Sequence, residues 1–337
     1  MVLLVVLTAS ATAAVEGPAR ADSVTPASGD LDAVSCPTAS LCYAVGGTKG
    51  LRGELVQIKS GVPSKPREVS GTVGLFAIDC PTAAFCEVAG TGKNGSGVVL
   101  SISNGKPGMV HALDWAPQSV SCPTASSCVI AGSSRTSTTM LEAAVVAGGK
   151  VQAPHTKKVP NSAAAGLSGV SCPSPGACEA IGSYTTRSLR TYSLLLRIGA
   201  GGSLGAYHTV KSVSLHSIVC PPKSNTTCDV IGQATQGVFE SVKIGGTALT
   251  KISSVSVFLE RLSCRSLQSC TASGYNQQTV PAIVSFDGGK PGQEQDYAQL
   301  HQQYFTDVAR TSDTTWLAVA NDGGGAGKST VVTGTVA

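Results

Sequence analysis

The chain has little of what usually announces a chemistry. Of its 337 residues, 13% are charged and 4% aromatic, with only two tryptophans and three methionines. Neither sign of charge dominates, since 24 basic and 20 acidic residues leave a net charge of +4. That is too small a bias to argue for a nucleic-acid partner. No stretch sustains a helical period, which sets helical repeats aside. Beyond the first residues no apolar run is a candidate membrane span. H-E-x-x-H, G-x-S-x-G and a P-loop are all missing. NDGGGAGKST (321–330) ends in G-K-S but lacks the phosphate-loop spacing. His111, His155, His208 and His301 are scattered. There is no C-x-x-C pair to suggest zinc or redox work. No metal and no cofactor are expected.

What the chain does have is a phrase that returns seven times. Six copies carry a cysteine pair: LDAVSCPTASLC (31–42), LFAIDCPTAAFC (75–86), PQSVSCPTASSC (117–128), LSGVSCPSPGAC (167–178), LHSIVCPPKSNTTC (215–228) and LERLSCRSLQSC (259–270). The seventh, FTDVARTSDTTW (305–316), places Arg310 and Trp316 where the cysteines would stand. The spacing from copy to copy runs from 42 to 50 residues, the length of one four-stranded propeller blade. A second β-rich run starts at the second cysteine (CYAVGG, CEVAGT, CVIAGS), and a third follows at a variable distance (ELVQIKSG, GVVLSISNG). A more polar fourth segment leads to the next copy. The predicted fold is therefore all-β: a seven-bladed β-propeller of four-stranded blades. The last copy ends after its third strand. Residues from about Asp22 to Ser28 precede the first copy and are predicted to supply the missing strand and close the ring.

Each cysteine pair spans the hairpin between the first and second strands of a blade, where facing Cβ atoms lie close enough to link. The expected disulfides are Cys36–Cys42, Cys80–Cys86, Cys122–Cys128, Cys172–Cys178, Cys220–Cys228 and Cys264–Cys270. Zinc is the rival reading, but pairs on successive blades point in parallel rather than at one centre. In the seventh copy a guanidinium stacked on an indole is expected to replace the covalent link. Twelve locally paired cysteines indicate an oxidising compartment. MVLLVVLTASATAAVEGPARADS reads as an export signal over residues 1–21, with A-x-A-like sites ending at Ala13 and Ala21 but no basic leader. Residues 22–337 then form a single propeller domain. The expectation is a secreted or otherwise extracytoplasmic monomer, at the cell surface and without a transmembrane span.

SFDGGKPG (285–292) resembles a worn Asp-box, the S-x-D-x-G-x-x-W turn of bacterial neuraminidase-repeat propellers. SNGKPG (103–108) and AGGK (147–150) are similar, more degenerate copies. Only Asp287 keeps the acid, and no copy keeps the tryptophan. The resemblance to Asp-box-like secreted bacterial propellers implies the fold and places these turns between strands three and four. It carries no catalytic residue across.

Two constellations are candidates for function. The loops between strands two and three share one face and carry Lys49, Arg52, Lys93, Arg135, Arg187, Arg190 and Lys328, with Asp322 as their one acid. Tyr184 and Tyr275 add rings, and Asn276, Gln277 and Gln278 add amides. Such groups suit an anionic or polyhydroxylated polymer, although solvated surface loops carry the same residues. The second constellation lies two residues before the shared apolar position of the inner strands: Asp32, Phe76, Gln118, Ser168, His216, Glu260 and Thr306. These should gather at the channel mouth. Asp32 and Glu260 could act as a carboxylate pair on a glycan, with His216 moving protons. The expected function is a non-catalytic binding or scaffold module for a cell-surface polymer, an acidic glycan or a protein. A glycan-acting hydrolase and a structural surface component are the alternatives.

Overall fold

The structure is a computed structural model that describes residues 23–222, 226–300, 302–323 and 328–336. Among the described residues every regular element is a strand apart from two short 3-10 turns, Ala200–Gly202 and Ala298–Leu300. The strands form seven separate antiparallel sheets. Each sheet begins at one of the repeated phrases: Asp30–Thr38, Thr72–Thr82, Trp115–Thr124, Ser162–Ser174, Ser214–Val219, Phe258–Ser266 and Tyr304–Arg310. We number the blades 1 to 7 in that order. In blades 1, 2, 3 and 6 the outermost strand is broken into two short pieces.

The ring closes as the sequence implies. Ser23–Ser28 pairs antiparallel with Lys328–Thr335, the third strand of blade 7, from Ser23↔Thr333 to Ser28↔Lys328. The chain then turns at Gly29, whose φ of 90° suits glycine, and enters the inner strand of blade 1. The propeller is thus held shut by its own first strand. The apolar clusters explain why seven sheets need a ring. Each cluster lies between neighbouring blades, as where Val45 and Leu55 of blade 1 pack on Leu75, Val88 and Leu100 of blade 2. Val34 and Val56 meet Leu317, Val319 and Val331 across the closure. Both faces of each sheet are covered only when the circle is complete.

All six expected disulfides are present and no free cysteine remains among the described residues. The residue before the first cysteine has a separate task. Its side chain accepts a hydrogen bond from the backbone N–H of the cysteine on the next blade. Cys80 donates to Ser35 (3.0 Å), Cys122 to Asp79 (2.6 Å), Cys172 to Ser121 (3.0 Å) and Cys220 to Ser171 (2.8 Å). Arg310 N–H donates to Ser263 in the same way (2.8 Å). Val219 and Ala309 cannot accept, and other residues bridge those two junctions. His216 Nδ1 donates to the Leu259 carbonyl (2.7 Å), and the Val34 N–H donates to Asp307 (2.9 Å).

The seventh copy corrects one expectation. The Arg310 guanidinium does not lie over the indole but turns into its own hairpin, donating from Nη2 to the Asp313 carbonyl (2.7 Å) and from Nε to the Ser312 carbonyl (3.4 Å). Trp316 is held by the edge of Tyr297 (6.0 Å between centroids) and donates to the Thr335 carbonyl (3.2 Å).

The turns that resemble Asp-boxes are two-residue hairpins. Asn104 and Gly105, Gly148 and Gly149, and Gly288 and Gly289 all have positive φ, as a type I′ turn requires. Ser60 and Gly61 make the same turn in blade 1.

Candidate functional site

Every inner strand carries a β-bulge at one position, so that two of its residues face one on the second strand. The bulged residues are Asp32, Phe76, Gln118, Ser168, His216, Glu260 and Thr306. These are the seven residues the sequence places at the channel mouth. The bulge also explains the glycine that closes the second-strand runs. A Cβ on Gly132 would collide with the Ala116 carbonyl, and one on Gly274 with that of Phe258. Blade 7 fits Ala320 at this position, opposite Phe305.

The bulged residues do not all share one space. Asp32, Phe76, Gln118, Ser168 and His216 line a cavity of about 340 Å3 at the head of the channel, joined by Arg261 and Asp307. Glu260 instead lines a wider groove of about 830 Å3 that also includes Ser168, His216 and Arg261. Thr306 is turned to the Leu31 carbonyl (2.7 Å), which ties blade 7 to blade 1. The Asp32 and Glu260 carboxylates thus line different cavities.

Burial raises three carboxyl groups near the ring closure, two of them at the channel head. Burial pushes Asp32 up to about 6, opposed by the Asn321 amide that donates to it at 3.2 Å and by Arg261, and assisted by Asp30. Burial likewise raises Asp307 to about 6, against the Val34 and Val308 N–H groups and Arg261. Glu54 is 1% exposed and is raised to about 7, first by burial and then by Asp30 and Asp32. Its carboxylate lies against Gly29, where any side chain would strike it.

The groove is built by three blades. Thr191 and Tyr192 come from blade 4, and Lys211 from the connection to blade 5. His216 and Gln233 come from blade 5, and Glu260 and Arg261 from blade 6. Since Nδ1 of His216 donates to Leu259, the ring is oriented by the fold and its Nε2 remains on the free edge. Among the described residues, Lys211, Glu260 and Arg261 take part in no salt bridge. The Gln233 Oε1 is buried without a hydrogen-bond donor.

The loop residues named from sequence are spread around the same face. Lys49, Arg52, Lys93, Arg135, Arg187, Arg190, Gln277 and Lys328 are exposed. Arg52 is already paired with Glu68 at 2.7 Å. Glu68, at the end of the outermost strand of blade 1, and Asp114, in the connection from blade 2 to blade 3, offset the positive bias of the loops taken alone. Tyr184 is engaged within blade 4, against Tyr192 (5.7 Å) and Tyr207 (6.2 Å), and its hydroxyl meets Thr209 (3.1 Å). Tyr275 stacks on Phe258 at 5.1 Å. Asn276 is a loop brace, accepting from the N–H groups of Gln278 and Val280 (3.0 Å each). None of these residues enters the groove.

Sequence reasoning missed Tyr192, Lys211, Gln233, Arg261 and Asp307. A signal existed for two of them. The position after the bulge is Ala33, Ala77, Ser119, Gly169 and Ser217 in five blades, and becomes Arg261 and Asp307 in the last two.

As for metals, Asp229, Cys264 and Cys270 converge within 4.8 Å. Both sulfurs belong to one disulfide, and Asp229 accepts from the Gln268 N–H (2.6 Å). That set offers no thiolate. Among the described residues no helix is long and apolar enough to cross a membrane. The proposed export signal lies outside the described residues.

No protein-family model matches the chain, and no curated protein matches it. Among solved structures it is similar to the β-propeller domain of the Trilobed protease from Pyrococcus furiosus, described as having an open velcro topology. The TM-score is 0.55 at 7% identity, over 87% of this chain and 92% of that one. A likeness at that identity establishes the architecture alone: this chain is a seven-bladed β-propeller.

Proposed function

We propose that this protein is an exported, non-catalytic binding module that engages a cell-surface polymer or partner through the channel-mouth face. The observation that supports this reading is the groove of about 830 Å3 across blades 4 to 6. Lys211, Glu260 and Arg261 line it without a salt bridge to hold them, whereas most of the other conspicuous polar groups of the inner strands are tied into inter-blade bonds. A pocket of that size with convergent polar groups is the ordinary form of a ligand site. Six disulfides fit an oxidising, extracytoplasmic setting. The Asp-box-like turns fit a secreted bacterial propeller.

The test is incubation of purified protein with cell-wall polymers and acidic glycans, reading both retention and released products. Retention that weakens with salt and yields no product supports the binding module. Product release that is lost in Asp32→Asn or Glu260→Gln would replace it with the hydrolase reading. Absence of both would remove it.

A further inference from the structure

We infer that the groove between blades 4 and 6 takes a short segment of an anionic, polyhydroxylated chain. The anionic group would lie against Lys211 and Arg261, with a ring face on Tyr192. This rests on the binding-module reading and assigns its ligand class and contact residues.

Four observations converge. The first is charge. Two cations and one carboxylate line the groove with no salt bridge holding any of them, and Arg261 lies between the groove and the Asp32 and Asp307 carboxyls of the channel head, lining both cavities. Arg261 stands where most blades have a small residue, so its guanidinium is an addition to the repeat rather than part of it. A flexible ammonium from the connection between blades 4 and 5 and a planar guanidinium from blade 6, lining one groove, suit a carboxylate or phosphate. The second is hydroxyl chemistry. Ser168, Ser183, Thr191, Ser212, Ser214 and Thr235 line the groove, and a ring of hydroxyls matches a ligand that both donates and accepts at each unit.

The third is the orphaned acceptor. Gln233 Oε1 is buried with no donor, and a buried acceptor without a donor is costly. A turn of the Gln233 side chain, which lines the groove, would bring this unmet acceptor to a ligand hydroxyl, and Nε2 of His216 offers a second acceptor, since Nδ1 is fixed on Leu259. The fourth is the platform. Tyr192 is half-buried and braced by Tyr184 at 5.7 Å, so its ring is held without needing the ligand. Glu260 completes the wall as an acceptor for hydroxyls and leaves the groove one positive charge in excess.

The anionic group could be a uronate carboxylate or a polyol phosphate, and the experiment separates them. An oligogalacturonate and a glycerol-phosphate oligomer are titrated into the full protein by calorimetry, with a neutral gluco-oligomer as reference. At least one anionic probe should bind, and the neutral one should bind at least about tenfold more weakly. Lys211→Ala and Arg261→Ala should each weaken that probe by about tenfold or more and flatten its salt dependence. Tyr192→Ala should weaken all probes together. Lys150→Ala, on the exposed outer hairpin of blade 3, should change nothing. Unaltered thermal unfolding of the three groove variants separates lost contacts from lost fold.

Equal binding of neutral and anionic probes overturns the ligand class. Retention on cell-wall polymer that survives all three groove substitutions overturns the site while leaving the binding-module reading in place. Failure of both oligomers and of every polymer overturns both.

Discussion

The two ends of each inner strand have opposite histories. At the lower end, the residue before the cysteine, the cysteine and the hairpin beyond it return almost unchanged. Three residues up the same strand, the bulged position is Asp, Phe, Gln, Ser, His, Glu or Thr. The lower end binds six of the seven blades to themselves through a disulfide, and joins five of the seven junctions through a side chain to N–H bond. The upper end faces the channel head and the groove, where backbone needs are already met by the bulged ladder. A repeat protein stays uniform where every neighbour must interlock in the same way and varies where the contact differs from blade to blade: Asp32, His216 and Thr306 bond to a neighbouring blade, and the remaining bulged residues line the cavities. The bulge allows both in one strand, because it re-aims a side chain without disturbing the pairing on either side.

This contrast can be broken most forcefully at the lower end. Each bridge closes a loop worth about 2 kcal/mol of chain entropy. Full reduction removes six of them, on the order of the whole stability of a domain. We expect reductant to lower the midpoint of thermal unfolding by roughly 20 °C or more, followed by circular dichroism. A small shift would mean that packing between blades, not the bridges, sets the stability.

Gly132→Ala attacks the bulge itself. With the Ala116 carbonyl in the space of the new Cβ, the cost should be about 3 kcal/mol in chemical denaturation. A cost near zero would show that the bulge is not held by the glycine.

The buried acids sharpen the comparison through pH. Burial raises Asp79, Asp229 and Asp307 to about 6, and Glu87 and Glu179 to about 7. Each is held above its ordinary value, so the fold favours the neutral form. The stability this confers is complete below the unfolded carboxyl range and is lost as pH rises through 6 to 7. The unfolding midpoint should therefore be higher at pH 5 than at pH 8, by about 5 °C. The opposite slope would mean that these carboxylates are better paired than burial implies.

One strand offers the finest test. Ser121→Ala deprives the buried Cys172 N–H of its acceptor and should cost about 1–2 kcal/mol. Gln118→Ala, three residues away at the bulge, should stay within about 0.5 kcal/mol. Equal costs would erase the distinction between the two ends. A small effect is also expected at the surface: Glu68→Gln removes an exposed pair with Arg52 at 2.7 Å and should change stability by less than about 1 kcal/mol.

How much of this was legible beforehand differs between fold and site. The seven bulged residues could be named because they sit at a fixed offset from the cysteines. That they divide between a channel cavity and a lateral groove could not be named, because the division depends on how neighbouring blades tilt. The exposed basic loops were conspicuous as text, yet Glu68 and Asp114, which offset their charge, come from a different part of each repeat. Tyr184 and Tyr275 looked available, but their rings are covered by Tyr192, Tyr207 and Phe258, whose neighbourhood spans separate strands. Lys211 and Gln233 belong to no repeated motif, and no local pattern distinguishes them from other polar residues.

By itself the sequence determined the number of blades, the disulfide partners and the strand that closes the ring. Each follows from local spacing: a hairpin brings a cysteine to one six or eight residues away, and a repeat length fixes the blade. Only the tertiary structure decided which acceptor serves which N–H across blades and which side chains meet in the groove. Those contacts join residues tens of positions apart, such as Tyr192 and Arg261 along one groove. Their meeting depends on the twist and stagger of whole sheets, to which every buried side chain contributes and which no single segment encodes.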